Sequence, residues 1–277
     1  MRRKLGQHFL IDRLSIERII EIAGATTGDR VVEIGPGPGS LTRLLAESAG
    51  ALVAIEYDGE LARQLRHTFA GDAHVRILHA DARTICYAAL FPADSGPERP
   101  DNGLKIVANL PYYAAVPILL TIFRDAAAID SCTLMFQQEV AERLAAGPGS
   151  KAYGLLSVTA QYYSTVRYCF SLPPRAFRPP PKVTSAVVHL RVSPQPNVVV
   201  TDEDLFFHLV RGAFQSRRKT LKNALTAYRA DLFPSGLLHQ AFSDLHLKEN
   251  VRGEALALEE FSELSNYCAR FQTNTHR

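Results

Sequence analysis

The stretch "DRVVEIGPGPGSLTRLLAE", residues 29–47, constrains the fold of this chain more than any other. It reads as a short apolar strand from Val31 to Ile34, a turn with Gly35, Gly37 and Gly39 at alternate positions, and an amphipathic helix from about Leu41. A strand that passes through a tight glycine turn into a helix is the opening half of a parallel sheet unit. The pattern then recurs. "ALVAIEYD", "HVRILHADA", "LKIVANLPY" and "SCTLMFQQ" read as four further strands, with helices around Leu61 to Phe69 and in "VPILLTIFRD", "EVAERLAA" and "YGLLSVTAQYY". Alternating strands and helices give an α/β, mostly parallel sheet covered on both faces. The polar segment "PADSGPERPDNG" between the third and fourth strands reads as a mobile loop.

The alternation ends after the fifth strand. "TVRYCFSLP" and "TSAVVHLRV" are strand-like runs with no helix between them, joined by "PRAFRPPPK", which predicts an antiparallel hairpin at the sheet edge. Beyond "SPQPN" the pattern is helical: Thr201 is placed to cap a helix whose apolar stripe is Leu205, Phe206, Leu209, Val210, Ala213 and Phe214. Helices follow in "SGLLHQAFSDL" and "LALEEFSELSNYCARF". At 277 residues the chain reaches the size at which a single core stops growing, so two regions are expected, 1–195 and an all-helical 196–277.

A hydrophobic content of 47% fits a globular protein. No run approaches the ~20 apolar residues of a membrane span, and "MRRK" leads into a segment too polar for a signal sequence, so a cytoplasmic location is expected. Cys86, Cys132, Cys169 and Cys268 stand singly, without metal-ligand spacing; free thiols and no bound metal are expected. The net charge of +3 hides an uneven distribution: no Asp or Glu occurs between Arg143 and Thr201, and a second basic cluster contains Arg211, Arg217, Arg218, Lys219 and Lys222. Such long acid-free stretches predict a polyanionic partner.

The glycine turn brings backbone close to a nucleotide-like ligand at the carboxyl edge of the sheet. Its spacing is GxGxG and it follows Glu33, whereas the dinucleotide fingerprint is GxGxxG. Glu56 ends the second strand, about twenty residues on, where a carboxylate accepts ribose hydroxyls. Asp81, past the third strand, can accept from an adenine amine. The turn "GPGPGS" carries no basic residue, so a nucleoside without a pyrophosphate, such as S-adenosylmethionine, fits better than NAD.

"NLPY", Asn109 to Tyr112, ends the fourth strand beside that pocket. An adenine amine is a poor nucleophile because its lone pair is delocalised into the ring. Two oxygens, the Asn109 side-chain carbonyl and the backbone carbonyl of Leu110 or Pro111, can accept its two hydrogens and stabilise the positive charge that grows on nitrogen. Pro111 fixes the backbone, and Tyr112 offers a face for stacking. Extruding a base costs a few kcal/mol, and each aromatic stack returns ~1 to 3 kcal/mol. Phe177 in "AFRPPPK" is therefore expected as a second stacking ring.

With these residues assembled, the chain resembles the ribosomal RNA adenine dimethyltransferase family, specifically its small-subunit members. The likeness runs through "GQHFL", "VVEIGPGPGSLT", Glu56, "ADA" at Ala80 to Ala82, "NLPYY", "QQEVAERLAAGPGSKAYGLLSV", "FRPPPKVTSAVV" and "RRKTLKNAL". It implies a class I, Rossmann-like methyltransferase fold with a mostly parallel seven-stranded sheet and a small helical domain. S-adenosylmethionine would be held by His8, Leu10, Gly35, Gly37, Glu56, Tyr57, Asp81, Ala82 and Asn109. The implied substrates are two adjacent adenines in a hairpin loop near the 3′ end of small-subunit ribosomal RNA. Arg217, Arg218, Lys219 and Lys222 would bind RNA, and the small ribosomal subunit would be the partner of a monomeric enzyme. His8 departs from the more frequent Asn of "GQNFL", and Gln138 from a frequent Lys. Four other readings stand beside this one. They are a large-subunit RNA methyltransferase of the macrolide-resistance type, a ribosome-assembly checkpoint acting mainly by binding, and a dehydrogenase, which the GxGxG spacing and NLPY disfavour; a DNA adenine methyltransferase, a fourth, is disfavoured because no separate target-recognition domain is evident in this length.

Overall fold

The computed structural model describes residues 7–91, 103–216 and 218–275; Met1 to Gly6, nearly all of the expected mobile loop, and Arg217 lie outside the described residues. The strands are β1 (Phe9–Leu10), β2 (Arg30–Ile34), β3 (Ala51–Glu56), β4 (Val75–His79), β5 (Leu104–Asn109), β6 (Ile129–Gln137), β7 (Ser164–Leu172), β8 (Phe177–Arg178) and β9 (Ser185–Val192). The helices are α1 (Arg13–Ala23), α2 (Ser40–Ser48), α3 (Gly59–Thr68), α4 (Ala115–Arg124), α5 (Gln138–Leu144), α6 (Leu155–Tyr163), α7 (Glu203–Gln215), α8 (Leu221–Tyr228), α9 (Ser235–Asp244) and α10 (Leu258–Thr275).

Seven strands form one sheet in the order β4-β3-β2-β5-β6-β9-β7. β4, β3, β2, β5 and β6 pair in parallel, and β9 pairs antiparallel with both β6 and β7. The expected edge hairpin is therefore present, and the sheet is the Rossmann-like one. Every residue of β2 is buried, which is why the strand reads as an apolar run and not as an alternation. One face packs Val31, Leu52, Val107, Met135 and Val187 against Ile16 and Ile19 of α1 and Leu41 and Leu45 of α2. On the same face, toward the β4 edge, Ala62 and Leu65 of α3 meet Ala54 and Ile77. Strand order reverses between β3 and β5 around β2, and folds of this kind bind ligands at the carboxyl ends beside such a switch point.

A second, two-stranded ribbon escaped the sequence reading. β1 pairs antiparallel with β8, Phe9 opposite Arg178 and Leu10 opposite Phe177. Two-residue strands carry no periodicity, so only their distant pairing defines them.

The chain divides into two compact units, residues 1–141 with 163–195, and residues 142–162 with 196–277. The second unit thus takes in most of α6, which periodicity assigns to the strand-helix alternation. Within it, Tyr162 stacks on Phe206 at 5.0 Å, and the Tyr153 hydroxyl donates to the Leu256 carbonyl over 2.9 Å. The cap of α7 is Asp202 and not Thr201: its carboxylate accepts from the Leu205 N–H at 2.9 Å. A carboxylate complements the positive end of the helix as well as its orphan donors, which a hydroxyl does not. Five residues of the α7 stripe are buried as expected, and Phe214 is half-buried. Among the described residues, no helix is long and apolar enough to cross a membrane, and no His, Cys, Asp and Glu cluster could hold a metal ion.

Candidate active site

The carboxyl ends of β2, β3, β4 and β5 surround a cavity. Its floor is the glycine turn, where Gly35, Gly37 and Gly39 have φ of +69°, +58° and +90°. A Cβ on Gly37 would stand 2.7 Å from the Phe9 ring, so both the backbone conformation and the close approach require glycine. No side chain caps the start of α2, and no cationic side chain from the turn lines the cavity.

The glycine turn and β3 are tied together by Glu56. One carboxylate oxygen accepts from the Gly37 N–H at 3.0 Å and the other from the Asp58 N–H at 2.8 Å. The side chain is 2% exposed, and burial raises its pKa. Each oxygen keeps a lone pair for a further donor, as a ribose hydroxyl requires. Behind it lies Glu33, 1% exposed, whose carboxylate has the Thr42 hydroxyl beside it and no further polar partner among the described residues. Burial pushes its pKa up to about 8, so it is largely a neutral acid at pH 7.

Asp81, just past β4, also lines the cavity and is held by Arg83. The guanidinium Nε donates to both oxygens, at 2.9 and 3.1 Å, and one Nη donates at 2.6 Å. These bonds hold the Asp81 pKa below its ordinary value. At the end of β5, the Asn109 side-chain N–H donates to the His8 carbonyl at 3.0 Å, which leaves Oδ1 as the acceptor end. The His8 ring in turn donates from Nδ1 to the Pro179 carbonyl at 2.7 Å. His8 therefore serves Asn109 through its backbone and the ribbon through its side chain. Tyr112 is half-buried, its hydroxyl 2.6 Å from Ser185 Oγ and its ring centroid 5.9 Å from that of His8.

Of the residues expected at the site, His8, Gly35, Gly37, Glu56, Tyr57, Asp81, Ala82, Asn109, Leu110, Pro111 and Tyr112 all line the cavity. Leu10 and Phe177 do not. Each is 3% exposed and packed in the core with Ile16, Val31 and Val187. The expectation of Phe177 as a second stacking ring is corrected accordingly: opposite Leu10 in the ribbon it presents no free face. Phe9, Arg83 and Tyr113 line the cavity and were missed. Only Tyr113, in "NLPYY", had a local signal. Of the basic cluster, Arg218 and Lys219 are exposed, whereas Lys222 pairs with Glu249 and lies 5.4 Å from the centre of the Phe242 ring.

The chain is similar to known proteins over nearly all of its length. The family model described as "Ribosomal RNA adenine dimethylase" matches residues 1–270. A ribosomal RNA small subunit methyltransferase A from Magnetococcus marinus is 45% identical over 264 residues, 95% of this chain and 90% of that protein. Its namesake from Alkaliphilus oremlandii is 40% identical over 268 residues, 97% and 92% of the two chains. Among solved structures, a dimethyladenosine transferase from Plasmodium falciparum superposes with a TM-score of 0.79 at 23% identity, covering 97% of this chain and 98% of that one. The 23S rRNA methyltransferase ErmE gives 0.70 at 24% identity, with 94% and 99% covered. At those identities the two structures speak for the fold.

Proposed function

The chain belongs to the ribosomal RNA adenine dimethylase family, and from that premise we propose that it dimethylates the exocyclic amines of two adjacent adenines in small-subunit ribosomal RNA. The target is a hairpin loop near the RNA 3′ end, and S-adenosylmethionine is the donor. The observation that carries this reading is the convergence of an acceptor amide, Asn109, with two carboxylates, Glu56 and Asp81, around one cavity whose floor only glycine can form.

The residues present fit the donor. Gly35 and Gly37 bring backbone to the wall where its amino-acid part would lie, Glu56 has lone pairs for the ribose hydroxyls, and Asp81 for an adenine amine, with Tyr57 and Ala82 beside them. When bound, S-adenosylmethionine supplies an electrophilic methyl carbon and leaves as a neutral thioether, so no general acid is needed. The protein prepares the nucleophile. Asn109 Oδ1, with its nitrogen fixed by His8, accepts one amine hydrogen, and the Leu110 or Pro111 carbonyl accepts the other. These oxygens turn the nitrogen lone pair out of conjugation and stabilise the charge that develops on it. Tyr112 is the stacking ring, and Phe177 lies in the core. An unpaired loop substrate lowers the cost of extrusion, which suits a single ring.

Arg218 and Lys219 contact phosphate in this reading, with Arg217 and Lys222 as further members of the cluster. The enzyme acts as a cytoplasmic monomer on the small subunit. The small-subunit reading is preferred over the macrolide-resistance type because the relatives at 40% to 45% identity carry the small-subunit name. Incubation with radiolabelled S-adenosylmethionine and, in parallel, undermethylated small subunits, large subunits and DNA tests it. Label is expected in small-subunit RNA alone, as dimethyladenine; label in large-subunit RNA, or tight binding without label, would overturn it.

A further inference from the structure

Two tyrosines follow Pro111, and the structure treats them differently. Tyr112 is half-buried and hydrogen-bonded to Ser185, whereas Tyr113 is 60% exposed at the mouth of the same cavity, its hydroxyl without a hydrogen bond among the described residues. Beside it is Arg83, whose guanidinium lies within electrostatic reach of the Tyr113 hydroxyl. Arg83 spends Nε and one Nη on Asp81, and its other Nη makes no bond among the described residues. A large exposed aromatic at a cavity mouth is more informative than a scattered surface residue, and here a held cation accompanies it.

We propose that Tyr113 and Arg83 form a subsite for the nucleotide adjoining the target adenine, with its base stacked on the Tyr113 ring and its phosphate against the remaining Arg83 donors. The proposal rests on the function assigned above and gives it a feature that NLPY alone lacks. A substrate with two neighbouring targets needs a place for one base while the other reacts. An aromatic face suits the role because every base has a π-face, so adenine and dimethyladenine are both accommodated after the first target is modified. Arg83 adds charge without leaving Asp81, since a guanidinium has five N–H donors in a planar fork.

The test compares wild type, Tyr113→Ala and Tyr113→Phe on two synthetic hairpin RNAs, one with both adenines and one with an abasic residue in place of the neighbour. On the intact hairpin, Tyr113→Ala should raise KM for RNA by about 5- to 150-fold, the equivalent of ~1 to 3 kcal/mol of stacking, with unchanged affinity for S-adenosylmethionine. Tyr113→Phe should restore it. On the abasic hairpin, wild type and Tyr113→Ala should have the same KM, because the partner of the ring is gone. Equal losses from Tyr113→Ala on both RNAs, or no loss on either, would overturn the subsite. Absence of labelling by wild type would instead overturn the function on which it rests.

Discussion

The glycine turn and the β1–β8 ribbon both supply residues to one cavity, yet they are specified in different ways. The turn is closed by Glu56 bonding Gly37, nineteen residues away, within a single strand-turn-helix-strand unit. The ribbon side is closed by His8 bonding Pro179 across 171 residues. Local closure writes itself into spacing, with glycines where φ must be positive and an acid at the next strand end. Distant closure leaves only residue types such as Phe9, Leu10 and Phe177, which look alike whether they face a ligand or a core.

The sharpest way to break the comparison is at Phe177. As a core residue, Phe177→Ala should cost about 3 to 5 kcal/mol of stability in denaturant titration. A loss confined to RNA KM, with stability intact, would return the ring to the substrate side. Next comes Glu33 behind the turn. Its folded pKa of about 8 lies above the ordinary glutamate value of 4.5, so between those values the folded state holds a proton that the unfolded chain releases. The stabilisation is fully present below pH 4.5 and falls by ~1.4 kcal/mol per unit up to about pH 8. Glu33→Gln removes that dependence and should gain on wild type as pH rises from 6 to 8; parallel stability curves would show that Glu33 is ionised in the fold.

Gly37→Ala probes the place where the two regions touch, since its Cβ would meet Phe9 at 2.7 Å. Strain of ~1 to 3 kcal/mol should weaken S-adenosylmethionine binding by about 5- to 150-fold in calorimetry. Unchanged affinity would mean that the turn can relax. The smallest effect is expected at His8. Its carbonyl survives any substitution, so His8→Ala loses the Pro179 bond, about 0.5 to 1.5 kcal/mol, and the ring contact with Tyr112. S-adenosylmethionine affinity should fall less than about tenfold, and a larger loss would give the side chain a direct role.

The legible part of the molecule follows from this difference. β2, β3, β5 and β6 were readable because parallel strands buried on both faces are near-continuous apolar runs, and the edge hairpin because "TSAVVHLRV" follows "TVRYCFSLP" without a helix. Glu56, Asp81 and Asn109 were readable as polar residues ending such runs. Arg83 was not, because a basic residue two positions after an aspartate has no spacing signature. Phe177 was placed wrongly because prolines on either side of an aromatic suggest a held, exposed ring, while the pairing of Leu10 with Phe177 that buries it lies far off in sequence. The partnership of Lys222 with Glu249 was invisible for the same reason.

Asn109 is where the two regions act together, β5 supplying the amide and the ribbon segment the carbonyl that orients it. Single-turnover methyl transfer by Asn109→Ala, with enzyme saturated by S-adenosylmethionine and by an RNA hairpin whose binding is measured separately, tests that joint role. Removing one preorganised acceptor should slow transfer by about 10²- to 10³-fold while RNA affinity stays within about twofold. Transfer at the wild-type rate would contradict the assignment of the amide oxygen as the group that readies the adenine nitrogen.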